Sequence, residues 1–344
     1  MAISKDAIKL LIVGSDTKWA IENDFIKHLK DSCNVSFFNA RGNFLNYYQK
    51  SIINKLLFRF GFSTILKTIN LDLLKQIEQK KPTIIWVFKG MEIYPKTLQK
   101  IKQQGIILAN YNPDHPFLHT FRGTGNKNVL ESVEYYHHHF SFSKKVVDKI
   151  QKEYELPSSW LPFAYVNALE PKTQNVENKV CFIGYADPER ARVISLILEN
   201  DIPVDVYGEN WGKFLKNDKN LGIKNSVYKD EFTTVAQNYR IQLNMFRPHN
   251  IDSHNMRTFE MPALGCIMLA PYSIEHAELF EEGKEAFYYK NELDLIEKCN
   301  YLTNLSTSEA YQLGLNAYNK SISSDYSYKN RTKQVLNCFI KLAE

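Results

Sequence analysis

The residues best suited to chemistry lie between Met245 and Tyr289. An apolar strand pattern, Ile241–Phe246, leads into a polar loop carrying Arg247, His249, Asp252, His254 and Asn255. A helical pattern follows over Met256–Leu264, Gly265 closes it, and a second apolar strand, Cys266–Ala270, comes next. In an open parallel sheet the loop after a strand faces the ligand crevice. Free N–H groups at a helix start there suit a phosphate. Arg257 and Glu260, three residues apart, share one face of the helix. A cation for a diphosphate beside a carboxylate for sugar hydroxyls is what a nucleotide-sugar site needs. The same two residues also suit a plain intrahelical ion pair, and Pro262 predicts a short or kinked helix.

A second group precedes it. Asn110-Tyr111-Asn112-Pro113-Asp114-His115-Pro116 follows a strand pattern. Asp114 beside His115 is a candidate general base for an acceptor hydroxyl, although Asn, Pro and Asp equally favour a turn. Arg122-Gly123-Thr124-Gly125 reads as an acceptor-side loop or a turn. Gly184 ends the strand Cys181–Ile183 and lets a ligand approach the backbone. Arg190 or Arg192, which follow, could reach a diphosphate or be ordinary surface arginines, and Gly208 ends the next strand. The chain has no G-x-G-x-x-G, no Walker A motif and no H-E-x-x-H. The adjacent His137, His138 and His139 alternate faces on a strand, so no metal site is expected.

The run Asn255-x-Arg257-x-Phe259-Glu260-x-x-Ala263-x-Gly265, with its tail Phe280-x-x-Gly283-x-Glu285-x-x-x-Tyr289, resembles the C-terminal half of GT-B glycosyltransferases. Specifically, it resembles the group-1-like transferases, which include the CgeB-like (spore-maturation protein B-like) proteins. Cys181–Gly184 followed by Arg190 is similar to the entry of their C-terminal domains, Tyr207–Gly208 to their Y-G pattern, and Asp114-His115-Pro116 to their D-x-P element. The resemblance implies an α/β fold of the GT-B type, with two Rossmann-like doubly wound domains facing a cleft and a C-terminal helix crossing back to the first. It also implies a nucleotide-sugar donor, a UDP-sugar first and a GDP-sugar second, with no tightly bound cofactor and no metal. The acceptor would be a hydroxyl of a glycan, a lipid-linked glycan or a protein.

Carried over residue by residue, Gly184, Arg190, Gly208, Tyr228, Arg247, Asn255, Arg257 and Glu260 would bind the donor. Val227 joins Tyr228 near the base, and Asp114, His115 and Asp252 would serve catalysis. Retaining GT-B transferases often show E-x7-E. Here Asp252 and Glu260 make D-x7-E, which keeps the carboxylate but shortens it, and tilts the expectation slightly toward retention. A non-catalytic nucleotide- or glycan-binding module and a nucleotide-sugar epimerase on the same scaffold are the alternatives.

The surroundings fit such a chain. At 344 residues, with 44% hydrophobic and 24% charged residues, two soluble domains are expected. No apolar run is long enough for a membrane span, and the N-terminus lacks a signal-peptide layout. Five scattered cysteines without C-x-x-C spacing read as buried thiols of a reducing, cytoplasmic setting. Residues 1–166 carry 23 Lys and Arg against 14 Asp and Glu, and residues 167–344 carry 20 against 24. Eleven cations fall between Lys50 and Lys102. They suit a solvated face, or one that steers an anionic acceptor or rests on acidic lipid at the inner membrane face; a nucleic-acid partner is not expected.

Strand patterns at Ile8–Val13, Val35–Phe38, Thr83–Phe88, Ile106–Asn110, Tyr136–Phe142 and Ser159–Phe163 alternate with helical ones, among them Phe44–Lys80 with a break near Gly61. After a connector, Ala164–Asn178, the alternation restarts at Val180–Ile183 and Val204–Tyr207, and Phe232–Tyr239 reads as a helix. Alternation of this kind predicts parallel doubly wound sheets. The expected domains are 1–166 with the helix 325–344, and 167–324.

Overall fold

The structure, a computed structural model, describes residues 8–118, 125–174, 176–246 and 253–344. The chain divides into two compact units, Met1–Pro162 with Tyr328–Glu344, and Phe163–Ser327.

In the first unit, β1 (Lys9–Val13), β2 (Asn34–Phe38), β3 (Ile84–Phe88), β4 (Ile107–Asn112), β5 (His138–Ser141) and β6 (Ser158–Trp160) form one parallel sheet in the order β2-β1-β3-β4-β5-β6. Its helices are α1 (Glu22–Leu29), α2 (Ala40–Lys50), α3 (Ile52–Arg59), α4 (Ile65–Lys80), α5 (Pro95–Gln103), α6 (Lys127–Glu131) and α7 (Lys144–Glu153). β1 and β3 are buried nearly throughout, as strands covered on both faces must be. The long helical stretch is three helices. It breaks at Ser51, whose hydroxyl accepts the Asn54 N–H and starts α3 afresh, and again around Gly61, which has φ +78°.

The second unit holds β7 (Glu177–Ile183), α8 (Pro188–Glu199), β8 (Val204–Tyr207), β9 (Leu221–Lys224), α9 (Lys229–Gln237), β10 (Tyr239–Leu243), α10 (Arg257–Ala263), β11 (Ile267–Pro271), α11 (Ile274–Leu279), β12 (Phe287–Tyr289), α12 (Glu292–Thr303) and α13 (Thr307–Ser323). Its sheet is parallel, in the order β12-β11-β10-β7-β8-β9. Its two edge strands, β9 and β12, are only four and three residues long, too short for a period-2 pattern to reveal. β10 begins at Tyr239, where the helical reading ended, and runs to Leu243, beyond which the Asn244 N–H still donates to Leu269 O of β11 at 2.8 Å. α10 is seven residues long, the short helix that Pro262 predicts.

The final helix, α14 (Tyr328–Ala343), belongs to the first unit. Its Tyr328 ring meets Phe25, and Phe339 packs edge-on against Trp86 and Phe140. Among the described residues no helix is long and apolar enough to cross a membrane.

Strand order reverses between β7 and β10 in one sheet and between β1 and β3 in the other. Ligands of open α/β sheets bind outside the carboxyl ends of strands at such points.

Candidate functional site

At the β7 end the backbone itself is exposed to close approach. The Gly184 N–H donates to Tyr207 O at 2.8 Å, and its carbonyl accepts the Trp211 indole N–H at 3.0 Å. Gly208 has φ +151°, and a Cβ there would lie 2.0 Å from Gly184 O. Only glycine lets these two strand ends touch backbone to backbone.

Asp187 caps α8 by accepting the Arg190 N–H, and Pro188 occupies the first helical turn. Arg190 then reaches across the strand reversal. Its guanidinium donates to Tyr185 O after β7 at 3.0 Å and to Met245 O after β10 at 3.4 Å. It lies 5.3 Å from the Phe182 ring centre and 3.5 Å from the Asp187 carboxylate. A cation held over the switch point in this way is suited to a diphosphate. Arg192 instead pairs with Glu189 and Glu292 on the surface.

Beyond β10, Asn255 is bonded at both ends of its amide: it donates to Asn244 Oδ1 at 2.6 Å and accepts the Thr258 N–H at 3.3 Å. Thr258 accepts from the Asn244 amide and the Asn255 N–H, and its hydroxyl meets His276 Nε2 at 2.8 Å. The second ring nitrogen of His276 faces Pro271 O at 3.0 Å, so Nδ1 is the donor and Nε2 accepts from Thr258. Burial lowers the His276 pKa to about 4, which keeps this ring neutral. His254, fully buried, donates Nδ1–H to Glu275 at 2.7 Å and accepts the Phe163 N–H on Nε2. Ser253 donates to the same Glu275 oxygen at 2.6 Å. The start of α10 therefore rests on a buried polar lattice.

On that base stand Arg257 and Glu260, joined by an ion pair. The Arg257 guanidinium also lies 4.1 Å from the Phe232 ring centre on α9, one turn after the exposed Tyr228 at the α9 N-cap. Val227 is buried. Among the described residues only Arg257 bonds the Glu260 carboxylate, and it does so through Oε2. The structure thus brings Arg257, Glu260 and α9 together, and Gly184, Gly208 and Arg190 together. Arg247, His249 and Asp252 lie outside the described residues, as do Arg122–Thr124.

In the first unit, Asp114 follows β4 in a turn closed by Asn112 Oδ1, which accepts the Asp114 N–H at 3.0 Å. The buried Asp114 carboxylate meets Lys89 Nζ at 2.5 Å. His115 turns to its own loop, where Nδ1 accepts the Phe117 N–H. Lys89 itself sits just past β3 with φ +57°.

Glu22 is a residue that sequence reading did not single out. It opens α1 just beyond β1, is buried, and accepts the Ser15 N–H at 2.8 Å. Burial pushes its pKa up to about 7, against hydrogen bonds from Glu22 and Ser15 N–H and the Lys89 charge. A Cβ at Gly14 would lie 2.4 Å from its carboxylate oxygen, so Gly14-Ser15 before a helical Glu was the available signal. His138 and His139 are also held neutral by burial, each with a pKa lowered to about 4. Among the described residues no three His, Cys, Asp or Glu side chains gather as a metal set.

A family model described as glycosyl transferase-like matches residues 190–337, which begin at Arg190 and include Arg257 and Glu260. No curated protein matches the chain. Solved structures match over nearly the whole length. Anabaena HepE, in complex with UDP and glucose, is 12% identical with TM-score 0.67, over 96% of this chain and 99% of that one. A glycosyltransferase from Rickettsia africae is 13% identical with TM-score 0.68, over 97% and 98%. The UDP-GlcNAc 2-epimerase of Neisseria meningitidis, bound to UDP-GlcNAc, is 13% identical with TM-score 0.57, over 96% and 99%. At such identities the likeness is one of fold, and that fold is GT-B.

Proposed function

We propose that this chain is a glycosyltransferase that moves a sugar from a nucleotide-sugar donor to a hydroxyl acceptor. The observation that carries the reading is the coincidence of two things in the second unit. The stretch similar to glycosyl transferases begins at Arg190, and Arg190 bridges the two strand ends where an open α/β sheet takes its ligand. In this reading Gly184 and Gly208 admit the donor to the backbone, and Arg190 with Arg257 counters the diphosphate charge as it departs. Glu260 accepts hydrogen bonds from ribose hydroxyls through the oxygen Arg257 leaves free. Tyr228 borders the base, and Asn255 holds the start of α10 in register.

UDP is the first expectation for the nucleotide, in keeping with HepE and the Neisseria epimerase, and GDP the second. Cationic side chains supply the charge that a metal gives other transferases, so activity is expected to survive chelation. The acceptor hydroxyl belongs to a glycan, a lipid-linked glycan or a protein, and Asp114 of the first unit, held by Lys89, orients or deprotonates it. The finer assignments are a CgeB-like member and a retaining reaction in which Asp252 lies near the transferred sugar.

The test is a thermal-shift panel of UDP, GDP, ADP, CMP and dTDP, followed by incubation with the matching nucleotide sugar. A specific nucleotide at a hundred times its Kd adds about 2.7 kcal/mol of stability. Slow donor hydrolysis without acceptor supports the transferase. The likeness to the Neisseria enzyme keeps an epimerase as the second reading, which a free epimerised sugar would establish. Binding without either reaction would leave a non-catalytic module.

A further inference from the structure

Helix α3 carries its apolar face outward. The side that packs onto the first unit holds Asn54, which donates to Tyr47 O at 2.7 Å, and Phe58, whose ring lies 4.8 Å from Phe44 and 5.8 Å from Tyr48. No residue of α3 is buried. Ile52, Ile53, Leu56 and Leu57 fall on the other side at helical spacing, and the stripe continues into the next turn with Phe60 and Phe62. Ile52, Ile53, Phe60 and Phe62 are 74%, 67%, 66% and 76% exposed. A surface helix of a globular unit turns such a stripe toward its core, and a contiguous apolar patch left in water marks a contact surface.

Every charged side chain in the stretch of sequence that contains the patch, residues 32–71, is a cation. Lys50, Lys55 and Arg59 are exposed along and beside α3, and Lys67 follows on α4. No Asp or Glu occurs in residues 32–71. This bears on what covers the patch. A second copy docking through the same face would set Lys55 and Arg59 against their own equivalents with no local carboxylate to offset them. An acidic bilayer meets both features at once, since apolar side chains enter the acyl boundary while Lys and Arg reach headgroup phosphates.

We propose that α3 and the turn after it dock the first unit onto an anionic membrane surface. Ile52, Ile53, Leu56, Phe60 and Phe62 insert at the interface, and Lys50, Lys55 and Arg59 lie on the headgroups. The inference rests on this surface alone and stands or falls separately from the transferase reading.

The test is co-sedimentation of the 344-residue chain with vesicles of phosphatidylcholine mixed with phosphatidylglycerol, beside vesicles of phosphatidylcholine only. Binding to the mixed vesicles is expected, weaker by tenfold or more on neutral ones and falling as salt rises. The triple variant Lys50→Gln, Lys55→Gln, Arg59→Gln should lose roughly a hundredfold in binding, at about fivefold for each cation. Ile53→Ser with Phe60→Ser and Phe62→Ser should lose a comparable amount at an unchanged melting temperature. As an independent measure, a Phe60→Trp protein should shift its emission to the blue on mixed vesicles. Absence of binding to mixed vesicles, equal binding to neutral ones, or retention of binding by the serine variant overturns the proposal. A concentration-dependent dimer that the serine variant dissolves, with no vesicle binding, also overturns it and assigns the patch to a second copy.

Discussion

Glu260, Asp114 and Glu22 are three carboxylates in three environments, and each invites a different measurement. Glu260 faces Arg257 through one oxygen, so Glu260→Ala is expected to weaken nucleotide binding more than folding. Two lost charge-assisted hydrogen bonds at about 1.5–3 kcal/mol each would lower affinity by roughly a hundredfold or more, readable by calorimetric titration; unchanged affinity in a folded variant would falsify the ribose role. Asp114→Asn keeps the turn that Asn112 closes and removes the charge facing Lys89. Donor affinity should survive while transfer falls by on the order of 10²-fold; full activity would remove Asp114 from the reaction. Glu22 tests burial itself. Its folded-state pKa is raised from the ordinary 4.5 to about 7, so the folded protein holds this proton more tightly than the unfolded chain. The associated stability is fully present below about pH 4.5 and is lost as pH rises through 7, a change on the order of 3 kcal/mol. Glu22→Gln should therefore gain on the parent between pH 5 and 8 in denaturant titrations, and parallel curves would refute the buried charge.

At the scale of elements, the strand ends show how little freedom the candidate donor site has. Gly208→Ala introduces a methyl 2.0 Å from Gly184 O at φ +151°, so β7 and β8 must part or the chain must strain. A loss of about 3 kcal/mol or more is expected in urea unfolding, together with loss of UDP binding. If stability falls and nucleotide still binds, the Gly184 peptide is not part of that site. α10 carries its own lesson. Its start was legible from Asn255, Arg257 and Gly265, but the polar lattice beneath it was not. Thr258, His276, His254 and Glu275 are up to twenty-two residues apart and meet only because β10 and β11 lie side by side.

At the scale of the whole molecule, the first unit is closed by a helix from the far end of the chain. Tyr328, Val335 and Phe339 of α14 are buried, with Phe25, Trp86 and Phe140 among their partners. Ending the chain at Ser327 removes several buried side chains at roughly 2–5 kcal/mol each. The shortened protein should lose the cooperative unfolding of the first unit in calorimetry while UDP still stabilises the second. Retention of a native first-unit transition would show that α14 is dispensable.

Alternating strands and helices, and hence two parallel sheets, were determined by the sequence alone. Local periodicity carries that information, and buried parallel strands such as Ile84–Phe88 have no other home. The positions of Gly184, Arg190, Gly208, Arg257 and Glu260 at strand ends and in the first turns of helices were also legible, because a strand pattern followed by a helical one marks that junction whatever surrounds it. Strand order was not: β12 and β9 are too short to announce themselves, and the reversal between β7 and β10 exists only once the sheet is assembled. Glu22 became notable only when Gly14, Ser15 and Lys89 closed around it, since burial is a property of the surroundings and not of the residue. The outward face of α3 was equally ambiguous, because the same apolar spacing serves a core or a surface. Which it serves was decided by tertiary structure, where Phe58 and Asn54 take the inner side and leave the larger apolar stripe in water.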